Sequence, residues 1–486
     1  MSKYITILLC LLVMPSVAFG ATTLTQDKFI KQAIKNNPSY QISAQEYMIA
    51  LEQNKSTRSL EDWNLVLSGL WNESSPPPLS SFSAQYRKTA GYTVGLEKYI
   101  ADTGTAIQLE HSNTRFDSKY PPGSSAFNPP SKYYLSSISL TIVQPLLKNA
   151  WGLATKNALK MSGYSLKLAK IKLSEDWEDL ISLLRKEYLT WQKCVKNISL
   201  VKGQVKTVKN QLALTKRQLK YGLSEELDVV QLEQKLEAYR IMLEQAILVC
   251  DTQTQKIFQL MGQRGANSAN AYPDKFIPNG SIMDAATAGS YLRSSSNIKR
   301  TADILVDLQT TNLETKENAK QIDVNLVLSA KPNAFTEGLS DSLTKIGQYS
   351  EKTISVTASR PLGNDQAEAE AEKAKIEYNK SIKQRENILL NANLGLSSLY
   401  TNLKRLSNMV KLNENSLKLA KKRSILEKRK FNQGRSSVFF VLQADDDMLK
   451  AENSLNETIF SREEIINQIK TLTDRYLVEY KDVLKL

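Results

Sequence analysis

Side chains able to do chemistry are few in this chain and widely separated. The 486 residues include one histidine, His111, and three cysteines, Cys10, Cys194 and Cys250. The sequence lacks the HExxH, CxxC and P-loop patterns that hold a zinc ion, a redox dithiol or a nucleotide phosphate. No nucleophile with a companion base can be picked out either. We therefore predict that the protein is not an enzyme and has neither a metal site nor a cofactor.

Two of the cysteines have a suggestive spacing. Cys194 and Cys250 each lie 28 positions from Gly222, on opposite sides of it. If the chain reverses at Gly222 as an antiparallel helical hairpin, both thiols reach the same height. A disulfide bond is then geometrically possible in an oxidising compartment. Two buried free thiols explain the same spacing equally well, so the sequence leaves both states open.

The N-terminus has the features of an export signal. Residues 1–20 contain Lys3, an apolar run from Ile5 to Val13 and small residues up to Gly20. The apolar run is shorter than the roughly 20 residues that a membrane-spanning helix needs. We therefore predict a signal peptide at 1–20 and an exported mature chain. The formal net charge of +14 comes from basic residues spread among many acidic ones. That distribution favours solvated helix faces over nucleic-acid binding.

Two long helical segments, at about 152–221 and 366–431, dominate the rest of the chain. Their apolar residues recur at steps of three and four, which is typical of a coiled-coil seam. At 1.5 Å per residue, roughly 70 residues make a helix about 100 Å long, so each must pack beside other helices. Predicted turns at Gly222 and Gly434 lead from each long helix into a shorter one.

Short segments with apolar and polar alternation are predicted to form strands. They are Trp63–Trp71, Tyr92–Ile100, Thr105–Phe116, Tyr133–Val143, Ile322–Ser329 and Lys352–Ser359. Such segments are typical of a transmembrane β-barrel, with a soluble sandwich as the alternative. Trp63, Trp71, Tyr133 and Tyr134 are expected in an interfacial aromatic girdle. His111 is expected near a strand end, at a rim or in a loop.

The chain contains an internal duplication. Asn64–Ser68 (NLVLS) recurs unchanged as Asn325–Ser329. We predict a first repeat at 21–265, a connector at 266–281 and a second repeat at 282–486. The first repeat has about 45 more residues between the repeated Asn and the Pro before the long helix, enough for an added hairpin. We therefore predict four strands in the first repeat and two in the second. Whether the added hairpin joins the barrel, or instead folds over a loop or the barrel rim, is left open by the sequence.

An ordered set of short motifs on this duplicated frame resembles the TolC family of outer-membrane efflux and secretion channels. The motifs are Ala33–Pro38, Gln144–Leu147, Tyr221–Ser224 with Asp228–Val230, Arg360–Gly363, and Phe431–Gly434 with Val441 and Leu442. The fold that the resemblance implies is mainly α with a β-barrel portion. Three duplicated helix-strand-helix chains would form an α-helical tunnel in the periplasm and a shared transmembrane β-barrel in outer-membrane lipid.

The resemblance also implies a function. A homotrimer of this kind would be the exit duct of a tripartite efflux or type I secretion system. Transport through it would be passive and driven by an inner-membrane transporter, which a periplasmic adaptor (membrane fusion) protein would connect to the duct. A periplasmic coiled-coil adaptor or scaffold is the alternative function, although it accounts for the helices and not for two groups of strands. The sequence does not indicate the cargo.

Two sets of site residues follow from the resemblance. The expected adaptor-docking tips are Tyr221, Gly222, Leu223, Ser224, Phe431, Gly434, Arg435, Ser436 and Ser437. The expected periplasmic aperture is formed by Asp228, Phe439, Phe440, Gln443 and Asp445. Many family members narrow this mouth with acidic residues, but Phe440 and Gln443 occupy those positions here. An apolar constriction at Phe439 or Phe440 is therefore expected, and Asp228 could instead cap a helix.

Overall fold

The computed structural model describes residues 22–77, 80, 82–124, 128–263, 271–276 and 281–484. The predicted signal peptide and most of the predicted connector lie outside these residues. The helices are α1 (Gln26–Asn36), α2 (Pro38–Arg58), α3 (Leu153–Lys220), α4 (Glu226–Leu260), α5 (Ala285–Ser294), α6 (Asn297–Ala319), α7 (Leu339–Thr344), α8 (Asp365–Asn432), α9 (Val438–Leu472), α10 (Arg475–Glu479) and α11 (Lys481–Leu484). The strands are β1 (Thr22–Leu24), β2 (Asn64–Ser74), β3 (Tyr86–Ile100), β4 (Thr105–Lys119), β5 (Lys132–Pro145), β6 (Ala271–Pro273), β7 (Asp323–Thr336) and β8 (Tyr349–Ser359).

The two helical hairpins have helices of the same lengths. The long helices α3 and α8 each contain 68 residues, and the returning helices α4 and α9 each contain 35. In the first hairpin the N–H of Gly222 donates to the carbonyl of Leu219 at 3.0 Å, and the N–H of Leu223 donates to that of Gln218 at 2.9 Å. Gly434 closes the second hairpin with the same bond pattern. This helix ending requires a left-handed residue, and the glycines have φ of 69° and 70°.

One antiparallel sheet contains strands from both repeats. Its order is β2-β3-β4-β5-β7-β8, so the first repeat contributes four strands and the second two, as predicted. The added hairpin β3–β4 lies within the sheet, and Pro145 of β5 faces Asn325 of β7 where the repeats meet. We call the end of the sheet that connects to α2, α3, α6 and α8 the helix end, and the opposite end the loop end.

The strand boundaries were predicted too short. Strand β7 continues to Thr336, seven residues past the predicted end at Ser329. The extension includes Pro332, although proline cannot donate to a sheet ladder and is usually confined to edges and bulges. In the structure the pairing with β5 passes over this proline and resumes where Asn333 faces Ser137. Strand pairing on both sides therefore outweighs one missing donor.

The described chain divides into two compact units, each of which combines segments of both repeats. The helical unit contains residues 22–43, 174–296 and 391–484. The sheet unit contains Ala44–Leu173 and Asn297–Leu390, and with them all six strands of the large sheet.

Several helices predicted as continuous are interrupted. α1 gives way to α2 at Pro38, as the Asn-Pro step indicated, and α5 ends at Ser294 within a serine run.

An aromatic cluster anchors the start of the chain inside the helical unit. Phe29 of α1 stacks on Tyr188 of α3 with ring centroids 5.7 Å apart, and Tyr188 meets Trp191 edge-on at the same distance. The hydroxyl of Tyr188 donates to a carboxylate oxygen of Asp274 at 2.7 Å. Asp274 directly follows β6, which pairs in parallel with β1. These three-residue strands are too short to produce a detectable alternation and were not predicted.

A buried carboxyl holds the C-terminal segment in the helical unit. Glu178 of α3 accepts a hydrogen bond from the backbone N–H of Leu477 at 2.8 Å and from that of Tyr476 at 3.3 Å. Burial raises the pKa of Glu178 to about 9, although the N–H of Leu477 acts in the opposite direction. The nearby carboxyls of Asp474 and Glu175 account for smaller parts of this increase.

This raised pKa predicts a pH-dependent stability. The folded protein holds the Glu178 proton more tightly than the unfolded chain, so the contribution is complete below the ordinary pKa of 4.5 and is lost as the pH rises through about 9. The loss is at most about 1.4 kcal/mol per pH unit. The midpoint temperature of thermal unfolding should fall less between pH 6 and pH 9 for Glu178→Gln than for the wild type. Equal differences would contradict this account.

Candidate functional site

Apolar and polar side chains are segregated on the two faces of the large sheet. Leu65, Leu96, Leu109 and Leu140 face one another across four successive strands and therefore share a face. We call this the apolar face. The exposed large apolar side chains on it are Leu65, Leu67, Trp71, Tyr92, Val94, Leu96, Leu109, Ile138, Leu140, Leu328, Ile354 and Val356. On the opposite face of the same strands they are Val66, Leu70, Leu135 and Tyr349.

Hydroxyl and amide side chains dominate the opposite face, which we call the polar face. Its members include Asn64, Ser68, Asn72, Thr89, Thr93, Ser112, Thr114, Ser137, Ser139, Thr141, Asn325, Ser329, Asn333, Thr353, Ser355 and Thr357. Near the helix end, the amide of Gln108 donates to carboxylate oxygens of Glu97 at 3.2 Å and Glu110 at 2.6 Å. Such side chains hydrogen-bond water readily, so this face is suited to an aqueous surface.

Two polar residues on the apolar face have their hydrogen bonds satisfied within the protein. The buried amide of Asn113 donates to the hydroxyls of Ser136 at 3.2 Å and Ser342 at 2.9 Å, the latter on α7. The ring nitrogens of His111 lie 3.3 Å from the hydroxyl of Tyr92 and 3.2 Å from the carbonyl of Ser137. The predicted rim position of His111 is wrong, because β4 extends to Lys119 and leaves His111 at its middle.

The predicted aromatic girdle is only partly on one face. Trp71 and Tyr134 lie on the apolar face, and Trp63 directly precedes β2. Tyr133 is on the polar face, where it stacks between Phe116 and Phe335 with centroid distances of 4.8 and 4.7 Å. Placing Tyr133 in the girdle was therefore wrong, because neighbouring residues of a strand point to opposite faces.

The hairpin tips present most of the predicted docking residues to solvent. Tyr221 is 80% exposed, and Gly222, Leu223, Gly434, Arg435 and Ser437 are exposed as well. Ser224 and Ser436 are half-buried. Phe431 differs from the others because it is only 7% exposed. It belongs to a buried cluster that packs the two hairpins together, which we call the tip core: Val208, Leu212, Val229, Leu232, Leu236, Tyr239, Phe431, Val438, Val441 and Leu449.

Each carboxylate of the acidic run 445–447 has its own partner. Asp445 is buried, with Lys428 Nζ at 2.7 Å and the hydroxyl of Ser424 in contact. Asp447 accepts from Arg423 Nη1 at 2.7 Å. Asp445 and Asp447 thus join α9 to α8 inside the second hairpin, and Asp445 does not reach solvent as an aperture residue would.

Asp446 joins the second hairpin to the first. One of its carboxylate oxygens lies 2.6 Å from Lys235 Nζ, and the other accepts from the hydroxyl of Tyr239 at 2.7 Å. Lys235 and Tyr239 are both on α4, and we call these three residues the inter-hairpin tie. Burial, and then the bond to Asp446, raise the pKa of Tyr239. The sequence prediction missed this tie, because only the packing of α4 on α9 brings the residues together.

The remaining aperture residues have distinct environments. Asp228 accepts from the hydroxyl of Ser224 at 2.8 Å and from the N–H of Glu225 at 3.2 Å, so it caps α4. Phe440 is 50% exposed, and its ring meets that of Phe439 edge-on at 5.5 Å. An exposed aromatic pair near the second tip is consistent with an apolar constriction.

The structure joins Cys194 and Cys250 in a disulfide bond between α3 and α4, with their Cα atoms 5.3 Å apart. Closing a loop of 56 residues stabilises a protein by up to about 4 kcal/mol in the chain-entropy account. Mass spectrometry of the mature protein, alkylated without reductant, should find no modified thiol. Two modified thiols would show that the hairpin is not covalently linked.

The tip glycines are required for backbone conformation and not for space. No atom lies within 4 Å of the position that a Cβ would occupy at Gly222 or Gly434. A non-glycine residue in the left-handed region costs roughly 1–2 kcal/mol, and asparagine tolerates it best. We therefore expect Gly222→Val to lower the free energy of unfolding by about 1–2 kcal/mol and Gly222→Asn to lower it by less, as measured by chemical denaturation. Equal losses in the two variants would show that the left-handed conformation is not what requires the glycine.

Within the described residues, no helix has the length and apolar character to cross a bilayer. The same residues contain no cluster of three His, Cys, Asp or Glu side chains placed to hold a metal ion.

Comparisons with known proteins agree with this architecture. No known family model and no curated protein matches the sequence. The fold is similar to the outer membrane protein VceC from Vibrio cholerae, at 14% identity and a TM-score of 0.68, over 92% of this chain and 96% of that one. It is also similar to the Campylobacter jejuni CmeC outer membrane channel, at 13% identity and a TM-score of 0.65, over 95% and 89%.

A third similar structure is the open state of the Neisseria gonorrhoeae MtrE outer membrane channel, at 13% identity and a TM-score of 0.65, over 92% of this chain and 88% of that one. These likenesses extend over nearly the whole of each chain. The chain therefore has the TolC-type channel fold that its sequence motifs resembled.

Proposed function

We propose that three copies of this chain form an outer-membrane channel, the exit duct of a tripartite efflux or type I secretion system. The observation that carries the proposal is the segregation of apolar and polar side chains on the two faces of the sheet. An apolar outer face and a polar inner face are what a channel in lipid requires. The similar structures support the proposal, since they are described as outer-membrane channels.

The dimensions of the apolar face fit a bilayer. Trp63 and Trp71 are eight residues apart, and at about 3.3 Å per strand residue they are separated by roughly 26 Å along the strand. A strand tilt of about 40° reduces this separation to about 20 Å across the bilayer. The apolar band of outer-membrane barrels is about 25 Å tall and is bordered by aromatic residues. Lys98 Nζ lies 5.2 Å from the Trp63 ring and Lys88 Nζ 5.7 Å from the Trp71 ring, so each border also carries a cation.

The number of strands explains the need for several copies. Strands β2 and β8 each have one edge without a strand partner in the described part of the chain. Six strands are too few to enclose a water-filled path, because barrel diameter grows with strand number. Three copies would supply about 18 strands, the number found in aqueous porins. Pairing β8 of one copy with β2 of the next would satisfy both open edges.

The hairpin tips would bind the adaptor protein that links the channel to its transporter. The exposed side chains of Tyr221 and Leu223 at the first tip, and of Arg435 at the second, form a mixed apolar and polar surface suited to a periplasmic adaptor protein. The adaptor would connect the channel to an inner-membrane transporter that drives the cargo. The channel itself would be passive. Within this assembly the inter-hairpin tie restrains separation of the hairpins, and Phe439 and Phe440 narrow the mouth.

Two measurements test this proposal: membrane fractionation and native mass spectrometry of the purified protein. We expect the protein in the outer-membrane fraction, extracted only by detergent, as a particle of three chains. A soluble monomer, or a protein in the inner-membrane fraction, would contradict the proposal and favour the adaptor or scaffold function.

A further inference from the structure

Among the described residues, the loop end of the apolar face carries more cations than carboxylates. Lys88 of β3, Lys119 of β4 and Lys132 of β5 all lie on this face, as the ladder register shows. Lys88 Nζ is 5.7 Å from the Trp71 ring centroid, and Lys119 Nζ is 5.4 Å from that of Tyr86. Within the part of the chain that the structure describes, none of these lysines forms an ion pair.

The acidic side chains among them are already engaged. Glu73 accepts a hydrogen bond from the hydroxyl of Tyr86 at 2.5 Å. Asp117 accepts from Arg115 Nη2 at 3.1 Å. Glu73 and Asp117 both lie across the ladder from Lys88. Four cations against these two carboxylates leave the loop end of the apolar face with an excess of positive charge. We call Lys88, Arg115, Lys119 and Lys132 the basic cluster.

We propose that the basic cluster binds the phosphate groups of anionic lipids in the leaflet at the loop end of the sheet. This inference rests on the proposed function, since it requires the apolar face to contact lipid. Trp71 and Tyr134 lie beside the cluster on the same face, where amphipathic rings mark the headgroup level of a bilayer. Long lysine side chains can extend from that level to the phosphates while their methylene groups remain against apolar surface.

The border of the apolar face at the helix end carries fewer cations. Among the described strand residues at that border, the basic side chain on this face is Lys98, beside Trp63. The asymmetry means that the two leaflets are recognised differently, with anionic headgroups preferred at the loop end. In the proposed channel the loop end is the extracellular one, because the helix end continues into the helices of the periplasmic tunnel.

The test uses the mature chain in nanodiscs of phosphatidylcholine mixed equally with phosphatidylglycerol. Native mass spectrometry of the trimer released from the discs counts the lipids of each kind that remain bound. We expect the wild type to retain phosphatidylglycerol in excess. A lysine near an anionic surface is worth about 1 kcal/mol, so each one removed should lower this preference about fivefold. The variant is the double substitution Lys88→Gln with Lys132→Gln.

A matched control removes two cations from the polar face, Arg87→Gln with Lys331→Gln. Arg87 is adjacent to Lys88 on β3 but faces the other way, and Lys331 is exposed on β7. We expect this control to keep the lipid preference of the wild type. Equal loss in both doubles, or no preference in an inserted wild type, would overturn the inference while the channel function stands. Failure of the wild type to enter nanodiscs would overturn both.

Discussion

Leu67→Arg is expected to abolish assembly in the outer membrane, whereas Ser68→Arg should leave it intact. Leu67 lies four residues from Trp63 and four from Trp71, at the middle of the apolar face. An arginine facing lipid at the bilayer midplane costs about 2–4 kcal/mol in each chain, and a trimer contains three such positions. Ser68 is the next residue of β2 but faces the polar side, where water can solvate the added charge.

Heat-modifiable trimers in outer-membrane preparations are the measurement for this pair. The wild type and Ser68→Arg should give similar amounts, and Leu67→Arg should give almost none. Because the two substitutions differ by one residue in position and add the same side chain, general intolerance of β2 to arginine would affect both. Loss of the trimer in Ser68→Arg alone would reverse the assignment of the faces.

Removing the inter-hairpin tie is expected to open the periplasmic mouth. Asp446→Ala deprives Lys235 of its ion-pair partner and leaves the buried hydroxyl of Tyr239 without an acceptor. A lost hydrogen bond of this kind costs about 1–3 kcal/mol. Every 1.4 kcal/mol changes a population about tenfold, so the open form should become roughly five to 100 times more populated. Conductance of the purified protein in planar bilayers should rise accordingly.

The control is Asp447→Ala, which breaks an ion pair of similar length. Its partner Arg423 lies in the same hairpin, so the two hairpins stay joined by Asp446. We expect its conductance to remain close to that of the wild type. A double variant of Asp446→Ala with Tyr239→Phe should add little to Asp446→Ala alone, because both remove the same bond. An unchanged conductance in Asp446→Ala would show that the tie does not restrain the mouth.

Much of this fold could be predicted from the sequence because its main elements are long or repeated. The recurrence of NLVLS at Asn64 and Asn325 indicated the duplication, and the positions of Gly222 and Gly434 indicated both turns. The extra residues between Asn64 and Pro145 indicated the added hairpin. These features depend on local conformation, helix length and residue count, each of which is visible along one stretch of chain.

Other features depend on contacts between distant residues and were missed. The tie between Lys235 and Asp446 joins positions 211 residues apart, and no spacing rule connects them. Strands β1 and β6 are stable only as a pair. α7 is a single short helix whose Ser342 satisfies the amide of Asn113, a need that becomes evident once the faces of the sheet are known.

The most direct test of the account compares thiol labelling at two adjacent positions of the central strand β5. Ser139→Cys places a thiol on the polar face and Leu140→Cys places one on the apolar face. In a planar bilayer, a charged, membrane-impermeant thiol reagent should reduce the conductance of the Ser139→Cys channel in three steps and leave the Leu140→Cys channel unchanged. Block of the Leu140→Cys channel, with the Ser139→Cys channel unaffected, would contradict the central claim that the polar face encloses the water path.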